Sequence, residues 1–118
     1  MNTLLQTRDA LVKDLKEIMG YELLPGDLMW TGIKAFMTFL NGKGIEHIEE
    51  INFQLLEMYR MQLRFSANFR EEDNLFSSAC ALLFAAANQG WIGLGICNSF
   101  LKTAPIMEIN PINQGGAL

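Results

Sequence analysis

The order of apolar and polar positions divides the chain into four helical segments and an irregular tail. Thr3 followed by Gln6 has the spacing of a capping box, and Leu4, Leu11, Leu15, Ile18 and Met19 then recur at near-helical intervals until Gly20 supplies a stop. The link YELLPGD carries Pro25 and Gly26, with Asp27 placed to cap a second helix. Met29, Ile33, Phe36, Met37 and Leu40 mark one face of that helix, Trp30 and Phe39 flank it, and Asn41-Gly42 ends it. Thr31, Lys34, Thr38 and Asn41 lie opposite, at i, i+3, i+7 and i+10, which makes a polar outer face.

A third helix opens at Asn52, a good cap, with Ile51 and Leu56 spaced as a hydrophobic staple and Leu55, Leu56, Tyr59 and Leu63 directed inward. Ser66-Ala67-Asn68 breaks the pattern, and a fourth helix, the longest and most apolar, runs from near Asn68 to Gly90. Ala79, Ala81, Ala85, Ala86 and Ala87 allow close approach of neighbours, while Leu75, Phe76, Leu82, Leu83 and Phe84 supply bulk, so this helix is expected at the centre. Met29, Met37, Met58 and Met61 sit at helical spacings and are expected to fill gaps in the core, with Tyr21 and Tyr59 as core or boundary aromatics. From Gly90 onward the chain holds five of its ten glycines and two of its three prolines, so regular structure should thin to a helical turn near Asn98 to Lys102. Residues 1–104 then form one helical domain, and 105–118, with Pro105, Pro111, Gly115 and Gly116, an extended linker.

Composition narrows the class. A length of 118 residues suits one core, and with half the residues hydrophobic the helices should bury broad faces. The longest apolar run, Ala79 to Ala87, falls far short of the roughly 20 residues that span a bilayer. The N-terminal MNTLLQTRDALVKDLKE carries charge throughout, unlike a signal peptide, so no membrane partner and a cytoplasmic location are expected. Cys80 and Cys97 lack CxxC spacing and read as reduced, structural thiols. A net charge of −4 argues against a nonspecific polyanion binder, so any nucleic-acid contact must be local.

Candidate chemistry is sparse. The stretch NGKGIEHIEEIN places the single histidine, His47, among Glu46, Glu49 and Glu50, an incomplete set for a metal that takes three or four protein ligands. Ile45, Ile48 and Ile51 recur every third residue, which suits a tight turn pinning this loop to the core as a joint between helices. No nucleophile elbow, phosphate loop or Ser/His/Asp set is present, and neither metal nor cofactor is expected.

In order, FMTFLNGKGIEHIEEINFQLLEMYRMQL, SSACALLFAAANQGWI and CNSF resemble the N-terminal core-binding domain of tyrosine recombinases, the phage-integrase family. In that family a helix ending in an "FL..KGI" phrase is followed by an "l.eIt...l..y...L" helix, then by a long helix ending in "a...gwi" and an "NPF"-like turn. The matching phrases run from Phe36 to Phe100. The resemblance implies an all-α fold, a four-helix SAM-like orthogonal bundle with a C-terminal extended linker, that clamps double-stranded DNA opposite the catalytic domain of the same enzyme. A homo-oligomer on DNA is compatible with it, and the sequence leaves the oligomeric state open. Helices two and four would face the major groove, presenting Thr31, Lys34, Thr38 and Asn41 from the one and Arg70, Asn74, Ser77 and Ser78 from the other. Arg and Lys suit phosphates or guanine, and Asn and Ser suit base edges.

The chain departs from the family in two places. Helix four has Asn74, Leu75 and Cys80 where basic residues are common and opens with Glu71-Glu72-Asp73, and Asn98-Ser99-Phe100 has serine in place of proline. Few cations mean little counterion release and weak binding by this piece alone. The family's catalytic residues lie in the downstream domain, so this chain is expected not to cut DNA, and its end at Gly115-Gly116-Ala117-Leu118 suggests a fragment of a longer recombinase, with a free-standing relative as the alternative. A second reading, favoured by the acidic balance, is a small helical module that binds another protein through an apolar groove. Convergence of Lys34, Arg64, Arg70 and Lys102 on one face would favour DNA, and their dispersal would favour the second reading.

Overall fold

The computed structural model describes residues 1–66 and 68–103, the side chains of Ser66 and Phe69 excepted. The stretch 105–118, expected to be an extended linker, lies outside the described residues. Among the described residues lie five α-helices: α1 Leu4–Met19, α2 Leu28–Gly42, α3 Phe53–Ser66, α4 Phe69–Asn88 and α5 Leu94–Leu101, with a 3-10 turn at Ile48–Glu50 between α2 and α3. The all-α class is as expected. The count of four is not, because the expected single turn near Asn98 is a helix of eight residues that starts at Leu94. Gly93 takes the extended N-cap conformation, and Cys97 and Phe100, buried one turn apart, fix the inner face of α5.

The helix ends follow local chemistry. Thr3 Oγ1 accepts the amide of Gln6 at 3.1 Å while Gln6 Oε1 accepts the amide of Thr3 at 2.7 Å, completing the capping box of α1. Gly20 at φ 67° closes that helix, its amide and that of Tyr21 returning to the carbonyls of Lys16 and Leu15. Asn52 and Asn68 cap α3 and α4, their Oδ1 atoms accepting the amides of Leu55 and Glu71 at 2.9 Å each. Asp27 does not cap α2 through its side chain. Its carboxylate turns back to accept the Leu24 amide at 2.8 Å and the Tyr21 hydroxyl at 2.8 Å, so it braces the preceding link instead. Those two donors hold its pKa below the ordinary value.

The fourth helix is central as expected: α4 packs on α1, α2, α3 and α5, and α3 also meets α5. Its most extensive packing is with α2, where Gly32 faces Ser78. A Cβ at Gly32 would stand 2.2 Å from Ser78 Oγ and 2.5 Å from Ser78 Cβ, so only glycine permits this crossing. Asn74, one turn earlier on α4, donates from Nδ2 to the Leu28 carbonyl at 3.0 Å. Tyr59 of α3 is buried between Phe36 and Phe39 of α2, with ring centroids 4.9 and 4.8 Å away, and Phe76 of α4 packs on Phe100 of α5 at 4.8 Å. Cys80 and Cys97 are free and buried, and burial raises both thiols, Cys80 to about 12.

An apolar residue at helical spacing is buried only where a neighbour covers it, and the expectation that Met58 and Met61 fill the core fails for that reason. Ile18 and Met19 are 75% and 72% exposed, bordering a shallow groove where α4 offers Ala81 and Ala85. Met58 and Met61 lie on the outer side of α3, whereas Met29 and Met37 pack against the core. Tyr21 is exposed, its hydroxyl committed to Asp27.

The loop after α2 is a joint, and it closes on the N-terminus. Ile48 donates to the Asn2 carbonyl at 2.9 Å beside an antiparallel bridge between Thr3 and His47. Glu49 accepts the Asn2 amide at 2.9 Å and the Asn2 side-chain amide at 2.7 Å. Glu50 Oε1 accepts the amides of Glu46 and His47 at 2.9 and 3.0 Å. Ile48 and Ile51 are buried beneath. Among the described residues no group of three or more His, Cys, Asp and Glu is placed to hold a metal ion, and no helix is long and apolar enough to cross a membrane.

Candidate nucleic-acid interface

The amphipathic pattern of α2 turns Ile33, Phe36 and Leu40 into the core and sets Thr31, Lys34, Thr38 and Asn41 on the outside, all four exposed. The two threonines are partly committed. Thr38 Oγ1 donates to the Lys34 carbonyl at 2.8 Å and Thr31 Oγ1 to the Asp27 carbonyl at 3.4 Å, which leaves their oxygens as acceptors. Among the described residues the Lys34 ammonium and the Asn41 amide have no partner.

Lys34, Thr38 and Asn41 form one wall of a groove of about 410 Å³ between α1 and α2. Trp30, Ile33 and Met37 make its floor, and Leu5 and Arg8 of α1 the opposite side. Arg8 Cζ lies 5.1 Å from the centre of the Trp30 ring, a cation–π position that holds the guanidinium over the indole. Its ionic partner is the adjacent Asp9, 3.2 Å from Nη2, and Asp9 is well exposed. The groove is thus lined by two cations and by no carboxylate, on a chain whose net charge is −4.

The second expected strip, on α4, divides. Arg70 and Ser77 are exposed. Asn74 is half-buried and donates across the helix crossing to Leu28. Ser78 is 1% exposed, pressed on Gly32 with its hydroxyl donating to the Asn74 carbonyl at 2.8 Å, so it cannot reach a surface ligand. Its role as a DNA contact is corrected to a role in the α2–α4 crossing. The acidic start of α4 is structural in part, since Glu72 pairs with Arg60 and the Asn68 side-chain amide donates to Glu71.

Lys34 and Arg64 do not share a groove, and this separation counts toward the protein-binding reading. Arg64 lines a different one, of about 370 Å³, on the outer side of α3 with Glu57, Met58, Met61 and Thr103. Met58 and Met61 are 43% and 58% exposed there, and Phe65, one turn beyond Met61, is 84% exposed, an apolar surface on the face of α3 turned from the core. Arg60, buried at its base, donates from Nε to the Thr103 carbonyl at 2.9 Å, bonds Glu72 through Nη1, and stands 5.1 Å over the Phe76 ring.

Arg8 was not among the residues expected at the site. It flanks the buried Leu4–Leu11 stripe, four residues after one leucine and three before the other, so it borders whatever packs on α1. That Trp30 lies there depends on tertiary packing that helical periodicity does not encode. Compared with protein-family models, curated proteins and solved structures, the chain matches none.

Proposed function

We propose that the chain is a DNA-binding helical domain that presents the outer face of α2 to duplex DNA, as the SAM-like core-binding domain of a tyrosine recombinase does when it positions the enzyme on its site. The observation that carries the reading is local charge: on an acidic chain, the polar face of α2 adjoins a groove with two cations and no carboxylate. Lys34, Thr38 and Asn41 together offer a phosphate contact and base-edge donors and acceptors from a rigid helix. Arg70 and Ser77 supply a smaller strip on α4. The partners are the DNA and the catalytic domain of the same enzyme, and binding in several copies would compensate for weak individual affinity.

The test is a salt titration of binding to random duplex DNA, on the chain and on a Lys34→Ala, Arg70→Ala variant. Each phosphate contact contributes a slope of about −0.9 in log affinity against log salt. The expected result is salt-sensitive binding with a shallower slope in the variant, and absence of binding at low salt overturns the reading.

A second reading rests on a different face. The exposed Met58, Met61 and Phe65 of α3 favour a module that binds another protein through an apolar groove. Met61→Glu on that face would abolish such binding while leaving DNA affinity at low salt nearly intact, which separates the two.

A further inference from the structure

We infer that the groove between α1 and α2 seats the sugar–phosphate backbone of one DNA strand, with Arg8 and Lys34 as the cations that neutralise its phosphates and Trp30 as the platform that holds Arg8 in place. The inference rests on the DNA-binding reading and adds to it a contact from α1. Three observations carry it. Lys34 has no ionic partner among the described residues, and Arg8 has only its sequence neighbour Asp9, an exposed pair of the kind that exchanges readily for a stronger anion. Arg8 Cζ stands 5.1 Å from the centre of the Trp30 ring, a cation–π position, and its Nε–H has no acceptor among the described residues. No carboxylate lines the groove, and the one that pairs with Arg8, Asp9 at 3.2 Å from Nη2, is the charge a phosphate would have to displace.

A guanidinium fixed over an indole loses little freedom when it grips an anion, and its terminal nitrogens form a fork that matches phosphate geometry. An ammonium on the facing helix supplies a second, more mobile cation. Thr38 and Asn41, next to Lys34 on the groove wall, add neutral hydrogen-bonding groups of the kind that fix a strand's register.

The experiment uses the full chain carrying Trp91→Phe, which leaves Trp30 as the sole indole, titrated with a 20-base-pair duplex at several salt concentrations. Trp30 emission should change on binding, and Arg8→Gln should make the salt slope shallower by about 0.9, with Arg8→Lys restoring most of it. Arg8→Gln, Lys34→Gln together should remove about 1.8. Salt-dependent binding with an unchanged slope in Arg8→Gln and unchanged Trp30 emission would overturn the groove as the contact and leave the DNA-binding reading standing. Loss of the slope with equal loss in Arg8→Lys, accompanied by a lowered melting temperature in both, would reduce Arg8 to a structural role. Absence of any DNA binding at low salt sinks both proposals together.

Discussion

At the scale of single residues, Gly32 and Tyr59 show how tightly the core constrains its neighbours. Gly32→Ala would place a methyl group inside Ser78, and an overpacked helix crossing of this kind costs about 1–3 kcal/mol, measurable as a lower denaturant midpoint. Ser78→Gly in the same chain should recover part of that loss, since it removes both clashing atoms, and the pair should be clearly non-additive. Gly42→Ala is the contrast: nothing lies within 4 Å of its Cβ direction, so the change should be neutral or mildly stabilising. Tyr59 is 1% exposed, its hydroxyl has no partner among the described residues, and burial pushes its pKa from 10.0 to about 12. Cys80 rises from 9.0 to about 12 for the same reason. Between pH 9 and 12 the unfolded chain therefore releases protons that the folded chain retains, and stability falls as pH rises through that window. Tyr59→Phe should flatten the decline in a series of melts across it. At neutral pH the same change should leave stability unchanged or raise it by up to about 1 kcal/mol, because an unpaired buried hydroxyl is removed.

Among the elements, the capping signals and the α4 hub were legible in the sequence because each depends on near neighbours or on composition. Thr3→Ala should lower stability by about 1 kcal/mol in urea unfolding, the usual worth of an N-cap side chain. Asp27 shows the limit of such reading: the residue type was right for a cap, yet the Pro25-Gly26 link offered its carboxylate two nearer donors. The inward and outward residues of α2 followed from periodicity alone. Those at the end of α1 and on the outer side of α3 did not, since Ile18, Met58 and Met61 fit the same period and differ only in what lies across from them. The candidate site divides in the same way. The polar face of α2 could be read from spacing, whereas Arg8 over Trp30, and the burial of Ser78 against Gly32, arise from how separate helices cross.

For the molecule as a whole, a few long-range polar ties hold parts that hydrophobic contact alone would leave loosely ordered. Arg60 joins α3 to α4 through Glu72 and to the end of α5 through Thr103, with both charged side chains largely buried. Arg60→Met would strand the Glu72 carboxylate and should cost about 3–5 kcal/mol, with Glu72→Met in the same chain restoring much of it. A second tie joins the N-terminus to the loop after α2. Glu49 is held below the ordinary value chiefly by the Asn2 amide and Glu50 by the amides of His47 and Glu46, so both contribute at neutral pH and lose their contribution as acid drives the pH down through those lowered values. Circular dichroism melts in Glu49→Gln should show a weaker acid dependence. Because Asn2 bonds a segment more than forty residues downstream, trimming the first two residues would chiefly unsettle the middle of the sequence. A protease added to such a truncated chain would be expected to cut first between Gly42 and His47, far from the end that was removed.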